Sequence, residues 1–290
     1  MRVLILGGDG MLGHRLLRQF APNHETRVTL RQPIEAYRDF RVFSPENTFD
    51  QVDVRDPAAV MKVFEQFSPE AIINAVGIVK QRDDAKDGTL SIEVNSLFPH
   101  LVARLCEARG ARLVHLSTDC VFSGQKGNYA ESDRPDPVDV YGRSKLAGEV
   151  DAPGVVTLRT SMIGTELERK TGLVEWFLAQ RGGTVHGWTR AIFSGLTTAE
   201  LARVIEMLLE RHPDARGLYH LSGDPISKHD LLQRLNRRLG LGVTVLADKA
   251  EVCDRSLDSS RFRAAFGYAP PAWDAMLDEL ANDILKGSRP

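Results

Sequence analysis

The first 160 residues alternate short apolar runs with amphipathic stretches. Apolar runs bounded by turn residues read as buried strands; apolar positions three and four apart read as helix faces. Strands are accordingly predicted at Arg2–Gly7, Thr26–Arg31, Phe49–Val54, Glu70–Gly77, Ala111–Thr118 and Gly154–Thr160. Helices are predicted at Met11–Phe20, Asp56–Phe67, Asn95–Arg109 and Pro137–Val150. Asp56 and Pro57 form a helix start, and Gly110 marks a stop. Strands separated by helices imply right-handed crossovers and a parallel sheet. The expected class is α/β, a doubly wound parallel sheet.

The pattern changes after residue 160. Helices are predicted at Thr198–Arg211, Ser227–Leu239, Ser259–Phe266 and Trp273–Leu285. Gly217–Gly223 reads as a buried strand and "GVTVLA" as a short one. No Gly/Ser/Pro-rich linker separates the two parts.

The strand–helix turn "LGGDGMLGHRLL" holds Gly7, Gly10 and Gly13 at three-residue spacing. With 24 glycines in 290 residues, that spacing arises by chance about 0.16 times per chain, so it is weak alone. Its place in the first βα unit strengthens it. Glycines there permit a tight turn and close approach of a pyrophosphate, with Met11, Leu12 and Gly13 opening the helix whose N-terminus receives the anion. A Rossmann-type dinucleotide domain over 1–160 follows, with 195–222 rejoining it. Residues 161–194 and 223–290 form a smaller, interleaved region expected to bind substrate. Arg31 stands where a binder of NAD often carries an acid. A cation there suits a 2′-phosphate, which favours NADP(H) and leaves NAD(H) open. Asp53 is placed at the end of the third strand to meet adenine or to neighbour the helix cap. The small residues of Asn74–Gly77 would let a cofactor lie across the fourth strand, or serve packing alone.

Composition narrows the class further. The chain is 42% hydrophobic, with a net charge of -2, so a large core is available and the basic footprint of a nucleic-acid binder is absent. Cys106, Cys120 and Cys253 are too dispersed for a disulfide framework or a zinc motif, and no metal is expected. "MRVLIL" lacks the pattern of a signal peptide, and no apolar run nears the ~20 residues that span a membrane. A cytoplasmic protein without membrane contact is expected; homodimerisation stays open.

The candidate chemistry sits in "YGRSKLAGE". Tyr141 and Lys145 share one helix face, where an ammonium lowers the pKa of a phenol and readies it for proton transfer. Y-x-x-x-K is equally weak alone, and its bland reading is a surface pair. Ser117 and Thr118 stand at the C-terminal end of the fifth strand, where open α/β sheets bind ligands. Glycine loop, hydroxyl, tyrosine and lysine therefore occur in a productive order.

These residues resemble an extended short-chain dehydrogenase/reductase. "STDCVFSG", "YAESDRPDPVDVYGRSKLAGE" and "LRTSMIG" resemble, more narrowly, the dTDP-4-dehydrorhamnose reductase family, and "GLYHLSG" and "SLDSSRF" extend the likeness towards the C-terminus. The resemblance implies Tyr141 as proton donor, Lys145 as its electrostatic partner and ribose ligand, and Thr118 as the substrate-orienting hydroxyl. It implies Asp53 and Val54 around adenine, Ala75, Val76 and Gly77 along the cofactor, and Asp119 beside the sugar. Met162 replaces a tryptophan common after "RTS" in that family, Cys120 and Ser123 depart from its "STDYVFDG", and "SGLTT" at Ser194–Thr198 replaces its "G-x-P-T". These departures bear on which sugar is bound. Arg255, with Trp188, Arg190 and Arg261, is a candidate for the nucleotide's base and diphosphate, against a reading as surface charge and packing. His14, His115 and His220 read as packing or cofactor-adjacent residues. The expected activity is NADP(H)-dependent reduction of a nucleotide-linked 4-keto-6-deoxysugar. The rivals are an epimerase that keeps its NAD and a non-catalytic regulatory subunit.

Overall fold

The computed structural model describes residues 1–78, 88–168 and 170–287. In chain order the first elements are β1 (Arg2–Leu6), α1 (Gly13–Phe20), β2 (Glu25–Thr29), β3 (Thr48–Phe49), α2 (Pro57–Phe67) and β4 (Ala71–Asn74). Then come α3 (Gly88–Ser91), a π-helical turn over Ile92–Leu97, α4 (Phe98–Arg109), β5 (Arg112–Thr118), α5 (Val140–Ala147) and β6 (Val155–Thr160). The later elements are β7 (Met162–Ile163), α6 (Leu173–Leu178), β8 (Thr184–Phe193), β9 (Leu196–Thr197), α7 (Thr198–Arg211) and β10 (Gly217–His220). Last are β11 (Ile226–Ser227), α8 (Lys228–Leu239), β12 (Thr244–Asp254), α9 (Ser260–Phe266) and α10 (Trp273–Gly287).

A seven-stranded sheet in the order β10-β6-β5-β4-β1-β2-β3 is the doubly wound arrangement that the alternation of elements predicts. Pairs β1–β2, β1–β4, β2–β3 and β4–β5 are parallel. The central strands β1 and β4 are apolar almost throughout because both faces are covered. On one face Leu4, Leu6, Ile72 and Leu113 pack with Val60, Phe64, Phe67, Phe98 and Val102 from α2 and α4. Helix α2 starts where Asp56 accepts a hydrogen bond from the Ala58 amide and Pro57 fills the first position. Helix α4 stops at Gly110, whose φ of 63° a glycine adopts without strain.

The chain divides into two compact units. One holds Met1–Ser117, Asp139–Leu158 and Ala202–Leu218; the other holds Thr118–Val138, Arg159–Leu201 and Tyr219–Pro290. The second unit carries a three-stranded sheet, β11-β8-β12, with α8 packed on β8, and a two-stranded ribbon of β7 and β9. Among the described residues no helix is long and apolar enough to cross a membrane.

Several boundaries differ from the pattern-based expectation. Strand β2 ends at Thr29, not Arg31, and β3 ends at Phe49, so Asp53 does not close a strand. Gln51 takes a left-handed backbone, φ 55°, which turns the chain out of the ladder. Helix α5 starts at Val140, after Asp139 caps it by accepting from the Gly142 amide at 2.8 Å; Pro137 lies outside it. The ten-residue β8 and the short α6 carry no clear sequence period, and β12 is longer than its apolar "GVTVLA" core.

One close approach fixes α5. A Cβ on Gly148 would lie 1.8 Å from the carbonyl oxygen of Asn95 in the π-helical turn. Backbone cannot yield as a flexible side chain does. Gly148→Ala is therefore expected to destabilise the protein by about 1–3 kcal/mol, read as a lower urea midpoint; an unchanged midpoint would show that the contact is loose.

Candidate active site

The glycine loop is built by backbone constraint. Gly7 leaves β1 with φ 85°, and a Cβ there would press on Val76 at 3.0 Å. Its amide donates to Thr29 Oγ1 at 3.1 Å, and the Gly8 amide donates to Thr29 O at 2.9 Å, which ties the loop to β2. A Cβ on Gly13 would lie 2.0 Å from Gly7 O, so only glycine lets α1 start this close to the loop. Leu12 offers no side-chain cap to α1 and the first turn has no acid, which leaves the positive helix end for an anion. Met11 and Leu12 lie between the glycines, Leu12 buried and Met11 half-buried.

The β4 exit meets this loop. Ala75 N donates to Leu6 O at 3.1 Å, and Val76 N donates to Asn74 Oδ1 at 3.1 Å. Ala75, Val76 and the glycine loop thus come together, with Gly77 following them. Arg31 is exposed two residues beyond β2. Asp53 is held below the usual carboxylate range, chiefly by hydrogen bonds from the Arg55 side chain, and the charge of Arg31 adds to this. Val54 packs against the hydrophobic core, half-buried.

Helix α5 carries the second cluster. Lys145 is 4% exposed, and its ammonium donates to Leu116 O of β5 at 2.6 Å. Burial pushes its pKa down to about 8, while Glu149 opposes the shift. Glu149 accepts from Ser117 Oγ at 2.6 Å. Beneath them His115 is fully buried, and its pKa lies well below 6.5 because of burial and the nearby Lys145 charge. Asn74 Nδ2 lies 3.2 Å from His115 Nδ1. Tyr141 is half-buried, one turn before Lys145, and its carbonyl accepts from Ser144 Oγ at 2.9 Å.

Asn95 locks this helix in place. Its amide nitrogen donates to Ile78 O and to Ser144 Oγ, each at 3.0 Å, and its oxygen accepts from the Ile78 amide at 2.9 Å. Ser96 Oγ donates to Ser144 O at 2.8 Å. The sequence pattern placed Asn95 at the start of a helix. The signal for its role is a polar residue between Val94 and Leu97 that is only 1% exposed.

The second unit holds the remaining candidates. Thr118 closes β5 and caps a short 3-10 turn, its Oγ1 accepting from the Cys120 amide at 3.1 Å. Its hydroxyl also donates to Asp119 Oδ1 at 3.3 Å. Desolvation raises the pKa of Asp119, against the pull of Arg255. Arg255 Nε donates to Phe122 O at 2.8 Å. Lys228, absent from the sequence-based candidates, joins this group: burial lowers its pKa, and Asp119 leads the charges that oppose the shift. Burial pushes the Cys120 thiol up to about 12, which makes it a poor nucleophile. Met162 lies on the β7–β9 ribbon, paired in register with Leu196. Of the other arginine candidates, Arg261 lies over the Tyr219 ring at 4.7 Å and Arg190 opposes Val252 in the β8–β12 ladder. Trp188 is 43% exposed.

A probable dTDP-4,6-dihydroxy-2-methyloxan-3-one 4-ketoreductase of Streptomyces antibioticus is 29% identical, over 100% of this chain and 98% of its own. Methionine adenosyltransferase 2 subunit beta of Danio rerio is 32% identical over 58% of this chain and 50% of its own. The crystal structure of a hypothetical dTDP-4-dehydrorhamnose reductase from Sulfolobus tokodaii has the same fold, with a TM-score of 0.79 at 27% identity, covering 96% of this chain and 98% of that one. The RmlD substrate binding domain family matches residues 1–285, nearly the whole chain, and the protein belongs to that family.

Proposed function

We propose that this protein is an NADP(H)-dependent reductase of the keto group of a nucleotide-linked 4-keto-6-deoxysugar. The observation that carries the reading is the buried Lys145 ammonium, held on β5 one helical turn from Tyr141, in the unit that also carries the glycine loop. The full-length likeness to a probable 4-ketoreductase supports the substrate class.

The residues present fit a dinucleotide. Gly7 and Gly13 leave no Cβ in the turn, and α1 has no side-chain cap and no acid in its first turn. Gly10, Met11 and Leu12 complete the loop. Arg31 is assigned to the 2′-phosphate, Asp53 and Val54 to adenine, and Ala75, Val76 and Gly77 to the cofactor's flank. NAD(H) would use the same loop without Arg31. When bound, the reduced nicotinamide supplies a hydride to the keto carbon. Tyr141 gives its hydroxyl proton to the substrate oxygen, and Lys145 stabilises the resulting phenolate and holds the ribose. Thr118 orients the substrate oxygen, and Asp119, Met162 and Arg255 are assigned to the sugar nucleotide.

A regulatory-subunit role is the second reading, motivated by the likeness to methionine adenosyltransferase 2 subunit beta. Turnover separates the two. With NADPH and nucleotide-linked 4-keto sugars, the wild type should oxidise cofactor in step with alcohol formation. Tyr141→Phe should lower kcat by about a hundredfold or more. Absence of turnover across such substrates would favour the regulatory role; epimerisation without net NADPH use would favour an epimerase. Arg31→Ala should weaken NADPH binding about tenfold and leave NADH binding near its wild-type value, since a charge-assisted hydrogen bond contributes about 1.5–3 kcal/mol. Equal losses for both cofactors would remove Arg31 from the 2′-phosphate.

The lowered pKa of Lys145 also has a stability signature. Between about 8 and 10.5 the unfolded lysine is protonated while the folded one is not. The unfolded state then binds more protons, so this residue makes stability rise with pH through that window. The penalty of burying its charge is complete below about pH 8 and gone above 10.5. Lys145→Met removes that titration. The difference in unfolding free energy between variant and wild type should therefore change across the window, in favour of the wild type as pH rises. A difference that stays constant would mean that Lys145 titrates normally.

A further inference from the structure

We propose that His24, Glu206 and Glu210 form a binding site for a first-row divalent cation of the zinc class, in the first unit and made of none of the residues assigned above to cofactor or substrate. The pattern of cysteines and histidines along the chain gave no metal signal. The structure assembles one from distant segments: the turn between α1 and β2 supplies His24, and α7 supplies Glu206 and Glu210 on one face at a spacing of four. One donor atom from each of the three lies within 4.8 Å of the others.

The geometry favours a shared ion over a plain ion pair. His24 Nε2 lies 3.5 Å from Glu206 Oε1 and 3.3 Å from Glu210 Oε1. A charge-assisted N–H···O bond would be shorter, about 2.7–2.9 Å. Ligands at roughly 2.0–2.1 Å from a tetrahedral zinc stand about 3.3–3.4 Å apart. The His24–Glu210 separation thus matches an edge of a zinc coordination shell, and the His24–Glu206 separation lies close to one. The imidazole points to the same conclusion independently. Its side chain is only 5% exposed, yet among the described residues neither buried ring nitrogen has a hydrogen-bond partner, and Nε2 is the one that faces the two carboxylates. A buried polar group normally finds one.

The surroundings hold the ligands in place. The His24 amide donates to Phe20 O at 2.9 Å, and the Phe20 ring lies 5.4 Å from the imidazole, centroid to centroid. Gln19 Nε2 donates to Glu206 Oε2 at 2.6 Å, and Asn23 Nδ2 donates to Glu206 Oε1 at 3.2 Å. Such outer contacts orient a carboxylate before an ion arrives. The Glu210 side chain is 39% exposed, which gives the ion an entry path and water a fourth position. One imidazole and two carboxylates suit zinc, cobalt or manganese better than magnesium or calcium, which favour all-oxygen shells. The ion would fasten the α1–β2 turn to α7.

The test is equilibrium dialysis of the metal-stripped full chain against Zn²⁺ with Mg²⁺ in excess, paired with thermal melts. The wild type should bind one Zn²⁺ per chain at micromolar free metal and melt higher with it. Glu210→Gln keeps the shape of a half-exposed side chain and should weaken binding at least tenfold; His24→Ala should do the same. Co²⁺ substitution should give a tetrahedral visible spectrum without thiolate charge-transfer bands, which excludes the three cysteines as ligands. No stoichiometric zinc at about 100 μM free metal, binding unchanged in Glu210→Gln, or a thiolate spectrum would each overturn the site.

Discussion

A positive charge kept out of water is the constraint from which the rest of the site follows. Lys145 is 4% exposed and finds the Leu116 carbonyl of β5 as its near partner. An ammonium in such a place keeps its proton less firmly, and its field reaches neighbours with little screening. The fully buried His115 has a pKa well below the usual histidine value, chiefly through its own burial and further through that field. In the proposed mechanism Tyr141, one turn away on the same helix, uses that field. Holding α5 against β5 is therefore the main structural task. Asn95, bridging Ile78 and Ser144, and Gly148, which admits the Asn95 carbonyl, carry it out.

The glycine loop solves a different problem with similar means. It removes side chains where backbone must pass close to backbone, and it leaves a helix start uncapped. In both places the absence of atoms is what the sequence encodes. The second unit gathers charge instead: Asp119, Arg255 and Lys228 perturb one another in partly buried surroundings. Polar groups that face each other in this way are suited to a ligand with both sugar hydroxyls and phosphates, which is the substrate class proposed here.

Local signals were legible in the sequence wherever one segment decides its own shape. The apolar runs of β1, β4 and β5, the Asp56–Pro57 start of α2, and the glycines of the first turn all read correctly because the cause lies within a few residues. What required the structure was long-range. The strand predicted over Phe49–Val54 stops at Phe49, because a left-handed Gln51 turns the chain. Strand β8 alternates exposed and buried positions, but its inward sites include Gly187 and Thr189 and its outward ones Trp188, so the sequence does not show the period, and its partners lie far along the chain. Asn95 and Lys228 look like ordinary polar residues until folding surrounds them. His24 and Glu206 meet only through folding; the adjoining Asn23 is 183 residues from Glu206.

The charge on Lys145 can be observed directly. In protein labelled with ¹⁵N-lysine, its Nζ resonance is identified by loss in Lys145→Arg and followed against pH. The account predicts a midpoint near 8. A midpoint near the ordinary lysine value of about 10.4 would contradict it, because the ammonium would then carry no net penalty from burial.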